Sequence, residues 1–122
     1  MNIKSFEDLE VYQLSLIFTK NIYQFVKDLP SAEKYNISDQ LIRAASSIGA
    51  NIAEGFGRHS TKEFVKFLYN ARGSLLETRH FITLAQELGY SNETYFKCLK
   101  KENDILGIKL NNLISALSKK IT

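Results

Sequence analysis

The amino-acid sequence predicts an all-α protein: an antiparallel up-down-up-down four-helix bundle, with residues 1–122 forming one domain. Apolar residues recur at spacings of three and four along four long segments, which is the pattern of one face of an α-helix. No segment shows the strict apolar–polar alternation that is typical of a strand. The chain contains one proline and six glycines. The connections between helices are short, and short connections favour antiparallel neighbours.

The first helix is predicted from Phe6 to Leu29. Ser5 is its expected N-cap, and Pro30 ends it. The row expected to face the core is Val11, Leu14, Phe18, Ile22, Phe25 and Leu29. A second apolar row on another side is Leu9, Tyr12, Leu16, Tyr23 and Val26. The two rows together cover about half of the circumference or more, whereas a stripe of ~100° suffices for a helix with one packed side. We therefore expect helix one, or its neighbour, to pack against another subunit.

The second helix is predicted from Asp39 to Glu54, with Ser38 or Asp39 as its cap. Its core row is Leu41, Ala45, Ile48 and Ile52. The segment "AASSIGAN" is rich in small residues, and small side chains let a neighbouring backbone come close. This helix is therefore expected to pack tightly.

The third helix is predicted from Thr61 to Leu88, because Ser60 and Glu63 have the spacing of a capping box. Its core row is Phe64, Leu68, Ala71, Leu75, Ile82 and Ala85, interrupted by Thr78. The fourth helix follows Gly89 and is expected to begin near Ser91. Its predicted core face is Tyr95, Leu99, Leu106, Leu110, Leu113 and Leu117.

The corner between helices two and three, "GFGRHS", fits a nucleotide-binding loop poorly. It follows a helix instead of a strand, and it lacks the third glycine of the dinucleotide fingerprint and the lysine of a P-loop. Gly55 is expected to be a left-handed helix C-cap, with Gly57 as a second permissive position. Arg58 and His59 precede a helix N-terminus, which favours anions, so they are either an anion contact or solvated loop residues.

No metal or catalytic site can be assembled from the sequence, and we expect neither a cofactor nor an enzyme. Glu77 and His80 have the spacing of a di-iron ligand pair, but the chain has only two histidines, and both residues are predicted to point away from the core. Cys98 is expected at the edge of the core as a small apolar residue. His59 has no carboxylate or nucleophile at a readable spacing.

Positive charge is concentrated beyond the first third of the chain. The formal net charge is +3; residues 1–40 carry −2, residues 41–80 carry +3 and residues 81–122 carry +2. Because arginine suits phosphate recognition, a nucleic-acid partner is expected to meet the middle third. The candidate contacts are Arg43, Arg58, Arg72, Arg79, Lys62 and Lys66. The alternative is that the arginines form structural ion pairs with Glu54, Glu63 and Glu77.

The compartment expected from the sequence is the cytoplasm. A single cysteine cannot form an intramolecular disulfide, which suits a reducing environment. The opening residues do not resemble a signal peptide, and no apolar run reaches the ~20 residues that span a bilayer.

The stretch from Ile37 to Tyr90 resembles the family of 23S rRNA-intervening sequence proteins, also described as S23-like. It combines a D-Q-L-x-R-A pattern, an S-I-x-x-N-I-A-E-G pattern, a G-R pair and an A-R-G-S-L-x-E pattern. The opening "FEDLEVYQLS" is also similar to the first helix of the family. The motif residues of structural interest are Asn51, Glu54, Gly55, Gly57 and Gly73.

The resemblance implies a four-helix bundle that assembles as a ring, typically a homopentamer, without catalysis. A similar protein, the accessory protein of diversity-generating retroelements, is a basic pentameric barrel that binds nucleic acid and a reverse transcriptase. The function that we expect is an oligomeric protein that binds RNA or DNA phosphates through a basic surface formed across subunits. The alternative is an oligomeric scaffold or adaptor for a protein partner. A helix-turn-helix DNA reader fits poorly, because the aromatic residues at the start of helix three are needed in the core.

Overall fold

Four long helices make up most of the part of the chain that the computed structural model describes, residues 3–121. They are α1 (Glu10–Val26), α2 (Ile37–Phe56), α3 (Thr61–Glu87) and α4 (Glu93–Ser118). Short 3-10 turns at Phe6–Asp8 and Ser31–Glu33 precede α1 and α2. No strand occurs within this range. The predicted fold class is confirmed.

The helices pack in cyclic order. Each helix contacts the one before it and the one after it along the chain, and α4 returns to contact α1. Within residues 3–121 the diagonal pairs, α1 with α3 and α2 with α4, make no close backbone contact. The outer side of the α1–α2 pair therefore lies opposite the outer side of the α3–α4 pair.

The core lies between the four helices and follows the predicted rows closely in α1, α2 and α3. All four residues of the predicted α2 row are fully buried. Thr78, which interrupts the α3 row, is also fully buried. Its hydroxyl has a hydrogen-bond partner there, since it donates to the Ser74 carbonyl oxygen at 2.8 Å. A buried hydroxyl with a hydrogen-bond partner avoids most of the cost of desolvation. The interruption therefore leaves the core continuous.

The core face of α4 differs from the prediction at both ends. Phe96 and Ile114 are buried, whereas Tyr95, Leu113 and Leu117 are only half-buried. The ring of Phe25 in α1 meets the rings of both Tyr95 and Phe96 edge to face, with centroid distances of 5.1 and 5.4 Å.

The prediction of one continuous helix from Phe6 is wrong, because the start of the chain is separate from α1. Ser5 does cap a turn: its hydroxyl accepts from the amide of Glu7 at 3.1 Å, and Asp8 accepts from the amide of Ser5 at 3.0 Å. That turn is a short 3-10 helix, and the backbone becomes extended at Leu9 before α1 begins. The far end of α1 also comes early, at Val26, although Leu29 remains buried.

The bounds and caps of α2 differ from the prediction. It begins at Ile37, so that Ser38 and Asp39 lie inside its first turn, and no side chain caps it. Gly55 is not a left-handed cap; the only positive φ within residues 3–121 is at Gly89, which follows α3. Instead, Gly55 is buried, and a Cβ atom built on it would lie 2.6 Å from the Cβ of Phe67. Glycine here lets α2 and α3 approach closely.

The N-termini of α3 and α4 are both capped by side chains. The Ser60 hydroxyl accepts from the amide of Glu63 at 3.1 Å, as predicted. Within the described residues, the Glu63 carboxylate does not return the bond that would complete a capping box. Asn92 caps α4 by accepting from the amide of Tyr95 at 2.9 Å, so this helix begins two residues after the predicted start.

Candidate nucleic-acid interface

The groove between α3 and α4 holds two of the four candidate arginines. Arg72 and Arg79 are seven residues apart and project from the side of α3 that faces α4. An Nη1 atom of Arg72 donates to Oδ1 of Asn111 at 3.0 Å. Arg79 donates from Nη1 to Oδ1 of Asp104 at 2.6 Å. Both guanidinium groups are therefore held across the groove by α4.

This groove has a volume of about 880 Å³. An adjacent groove between the same helices, which shares Asp104 with the first, is lined by Lys97, Lys100 and Lys101 of α4. The two adjacent grooves together contain five cationic side chains and two carboxylates. We call this surface the basic face and define it by Arg72, Arg79, Lys97, Lys100 and Lys101.

The three lysines of the basic face are functional candidates that were not predicted from the sequence. The predicted contacts were the four arginines and, among the lysines, only the two at the start of α3. The signal was nonetheless present, because "KCLKK" puts Lys97 and Lys101 one turn apart on the same side of α4.

The alternative of structural ion pairs is realised for two arginines. Arg58 pairs with Glu54 at 2.5 Å, as that alternative proposed, whereas Arg79 pairs with Asp104 instead of Glu77. Arg72 has no carboxylate partner within residues 3–121. Both pairs are substantially exposed, and exposed pairs contribute only about 0–1 kcal/mol. Neither pair would hold its arginine strongly against a competing phosphate.

Arg58 and Arg43 lie away from the basic face. Arg58 is exposed at the corner between α2 and α3, where its guanidinium carbon is 4.7 Å from the centre of the Phe67 ring. His59, beside it, is also exposed. Arg43 is exposed on α2, which makes no close backbone contact with α4. The structure therefore divides the four candidate arginines into one pair and two separate positions.

Lys62 and Lys66 begin a row on the outer side of α3. Their spacing continues through Tyr69 to Gly73, so that the four residues share one side of the helix. We call these four residues the outer row. The guanidinium of Arg72 lies 4.7 Å from the centre of the Tyr69 ring. This cation–π contact joins the outer row to the basic face.

A second groove, of about 510 Å³, lies on the opposite side of the bundle, between α1 and α2. Leu16 and Tyr23 of the second apolar row form part of its wall, and they are 50% and 47% exposed. Small residues of α2, including Gly49 and Ala53, also line it. Lys20 is the one charged side chain among its described lining residues. Of the predicted second apolar row, Leu16 and Tyr23 are therefore exposed, whereas Leu9, Tyr12 and Val26 are half-buried against the core.

The remaining family-motif residues make hydrogen bonds within α2, next to a hydrogen bond that links α2 to α3. Asn51 donates from Nδ2 to the carbonyl oxygen of Ser47 at 2.8 Å and to its hydroxyl at 3.0 Å. The same Ser47 hydroxyl accepts from Ser74 of α3 at 3.0 Å. Gly57 ends α2 by donating its amide to carbonyl oxygens of the last turn. The Ser47–Ser74 hydrogen bond therefore links α2 to α3, and the Gly57 amide closes the last turn of α2.

The other residues singled out in the sequence lie on the surface. Glu77 and His80 are exposed, as predicted from their direction on the helix. Cys98 is exposed as well, so its prediction at the edge of the core was wrong. Its neighbours Phe96 and Leu99 occupy the buried side of that turn.

Within residues 3–121 no three potential ligands among histidine, cysteine, aspartate and glutamate come together around one point. None of the helices there has the length and apolar character needed to cross a bilayer.

Comparison with known proteins gives one family and a similar solved structure. A family model described as "23S rRNA-intervening sequence protein" matches residues 7–112. A crystal structure of a protein of unknown function from the S23 ribosomal protein family of Bacteroides thetaiotaomicron is similar in fold, with a TM-score of 0.77 and 25% sequence identity. The similarity covers 85% of this chain and 97% of the other. None of the curated proteins searched matches the chain.

Proposed function

The chain belongs to the 23S rRNA-intervening sequence protein family, and we propose that it is a non-enzymatic, self-associating bundle that binds the phosphates of RNA or DNA through its basic face. The observation that carries the proposal is the presence of five cationic side chains from two helices in two adjacent grooves that share Asp104. Clustered lysine and arginine on one face form the electrostatic footprint of a nucleic-acid-binding protein.

The contacts of the arginines favour phosphate binding. Arg72 is held by a hydrogen bond to Asn111, a neutral acceptor, and by the ring of Tyr69. These contacts orient the guanidinium group, and neither of them neutralises its charge. An arginine that is already ordered loses less conformational entropy when it binds. Arg79 can exchange its exposed pair with Asp104 for a phosphate at small cost.

Self-association would multiply the positive charge that one copy of the chain presents to a polyanion. Five cations against two carboxylates are a modest patch, and several linked copies would bind a long polyanion with much greater avidity. The groove between α1 and α2 suits this purpose, because it is apolar, nearly uncharged and opposite the basic face. Copies joined there would leave their basic faces open. We propose a homo-oligomer of five copies, a number taken from the family resemblance alone.

The test is binding of a labelled oligonucleotide across a range of salt concentrations. Phosphate neutralisation predicts that the logarithm of affinity falls linearly with the logarithm of salt concentration. Replacing both Arg72 and Arg79 with Ala should weaken binding and reduce the magnitude of that slope by about two.

The matched control replaces Lys27 and Lys34 with Ala. Both are exposed at the end of α1 and in the following loop, so the same two charges are lost away from the basic face. Absence of binding at low salt, or an equal effect of both double variants, would contradict the proposal.

A second candidate function is an interaction scaffold for a protein partner. It is favoured by Leu76 and Ile108, two exposed apolar residues that lie in the groove between the arginines. In that case Arg72 and Arg79 would serve at a subunit or partner contact. Disassembly of the oligomer in the double-arginine variant, measured by light scattering, would favour this function over nucleic-acid binding.

A further inference from the structure

We infer that the nucleic acid bound here is single-stranded and that one of its bases stacks on Tyr69. The inference rests on the proposed function and deepens it. A basic groove alone fits any polyanion. An exposed aromatic ring among cations is the feature that distinguishes single-strand binding, in which bases stack on aromatic side chains while the backbone follows positive charge.

Tyr69 has the surroundings that such a stacking platform requires. It is 46% exposed on the outer side of α3. Lys66 and Lys62 lie one and two turns before it on the same side, and the Arg72 guanidinium lies over its ring, 4.7 Å from the centre. A base stacked on the face of the ring that Arg72 leaves free would therefore have lysines for its phosphates on one side and Arg72 on the other.

Gly73, the last member of the outer row, leaves the surface beside Tyr69 flat. A Cβ atom built on it would meet nothing within 4 Å, so no contact inside the protomer requires glycine. Glycine in the middle of a helix costs roughly 0.5–1 kcal/mol relative to alanine. One turn beyond the tyrosine, a missing side chain lets a sugar or a base approach the helix backbone.

Duplex nucleic acid would use this surface less fully. The bases of a duplex are stacked on one another and present no free face to a side chain, so recognition of their faces is confined to single strands. A duplex would contact the lysines and arginines through its phosphates and leave the ring of Tyr69 without a partner. The inference therefore predicts a preference between two ligands of equal length.

The experiment compares a labelled oligothymidylate of about 20 nucleotides with a duplex of the same length, at low salt. Wild-type protein should bind the single strand more tightly. Tyr69→Leu should weaken single-strand binding by about 5- to 150-fold, the range for loss of one stacked base. It should weaken duplex binding much less, because a duplex loses only the ordering of Arg72 by the ring. Tyr69→Phe, which keeps the ring, should retain single-strand affinity.

Tyr35 supplies the matched control. It is 81% exposed in the loop before α2 and also lies beside a cation, with Nζ of Lys34 5.4 Å from its ring centre. Tyr35→Leu should change neither affinity. The chain has no tryptophan, so intrinsic tyrosine fluorescence gives an independent readout, and the quenching caused by the single strand should diminish in Tyr69→Leu.

Three results would overturn the inference. The first is duplex binding as tight as single-strand binding, which would keep the proposed function and remove the stacked base. The second is an equal effect of Tyr69→Leu and Tyr35→Leu. The third is a change in the mass of the oligomer on Tyr69→Leu, which would make Tyr69 a subunit contact. Failure of both ligands to bind at low salt would overturn the proposed function as well.

Discussion

At the scale of single residues, glycine shows what a local reading of the sequence can and cannot find. Gly55 was predicted as a left-handed cap because it follows the periodic part of a helix. Glycine is required there because Phe67, twelve positions away, occupies the space where a side chain would go. Local sequence spacing carries no information about contacts between helices. The sequence therefore indicated that Gly55 matters, but it did not indicate that close packing of α3 is the reason.

Gly55→Ala should destabilise the protein by about 1–3 kcal/mol, although alanine is the better helix former, because its methyl group would overlap Phe67. The measurement is urea denaturation at a fixed protein concentration, since stability of an oligomer depends on concentration. Gly73→Ala is the matched control and should stabilise the helix by about 0.5–1 kcal/mol, because its site is open. Equal or greater stability of Gly55→Ala would contradict this packing account.

At the scale of the elements, the long helices were predictable and their ends were not. Repeated apolar spacing over α2 identified Leu41, Ala45, Ile48 and Ile52 as core, and all four are fully buried. The start of α1 was missed, because Ser5 and Asp8 cap a short turn as well as they would cap an α-helix. Capping residues mark the start of a turn without fixing how far the helix continues.

The loops at one end of the bundle are joined by a hydrogen bond that no pattern indicated. Tyr90 follows α3 and donates its hydroxyl to Oε2 of Glu33 in the loop before α2, at 2.8 Å. This bond raises the pKa of Tyr90 above its ordinary value, with smaller contributions from burial and from the charge of Glu33. A raised pKa in the folded state means that the protonated form contributes stability.

We therefore expect the protein to lose stability as the pH rises above ~10, the ordinary tyrosine value, because the contribution of Tyr90 is complete below that pH and is lost as Tyr90 ionises. Urea denaturation on both sides of that pH should show a smaller loss for Tyr90→Phe than for wild type. Tyr35→Phe, at an exposed tyrosine in the same loop as Glu33, should behave as wild type. Identical pH dependence of all three proteins would show that the hydrogen bond contributes nothing to stability.

At the scale of the whole molecule, the sequence indicated a positively charged region but not its shape. Counting arginines selected the middle third of the chain, and the fold brought only Arg72 and Arg79 of those four to one groove. The lysines of α4 joined them because α3 and α4 are neighbours in the bundle, which requires the topology as well as the charges. The fold class could be predicted from periodicity, whereas the candidate site depends on which helices meet.

The central claim at this scale is that copies of the chain associate through the apolar groove between α1 and α2. Light scattering on the purified protein is the most direct test. The account predicts a mass several times 13.9 kDa, and the family resemblance sets the expected number at five. Replacing Leu16 and Tyr23 with Gln should return the mass to that of one chain, because both are exposed in the groove. Leu88→Gln, at an exposed leucine beyond the end of α3, should leave the oligomer intact. A wild-type mass of 13.9 kDa at the concentrations used for binding would contradict the claim.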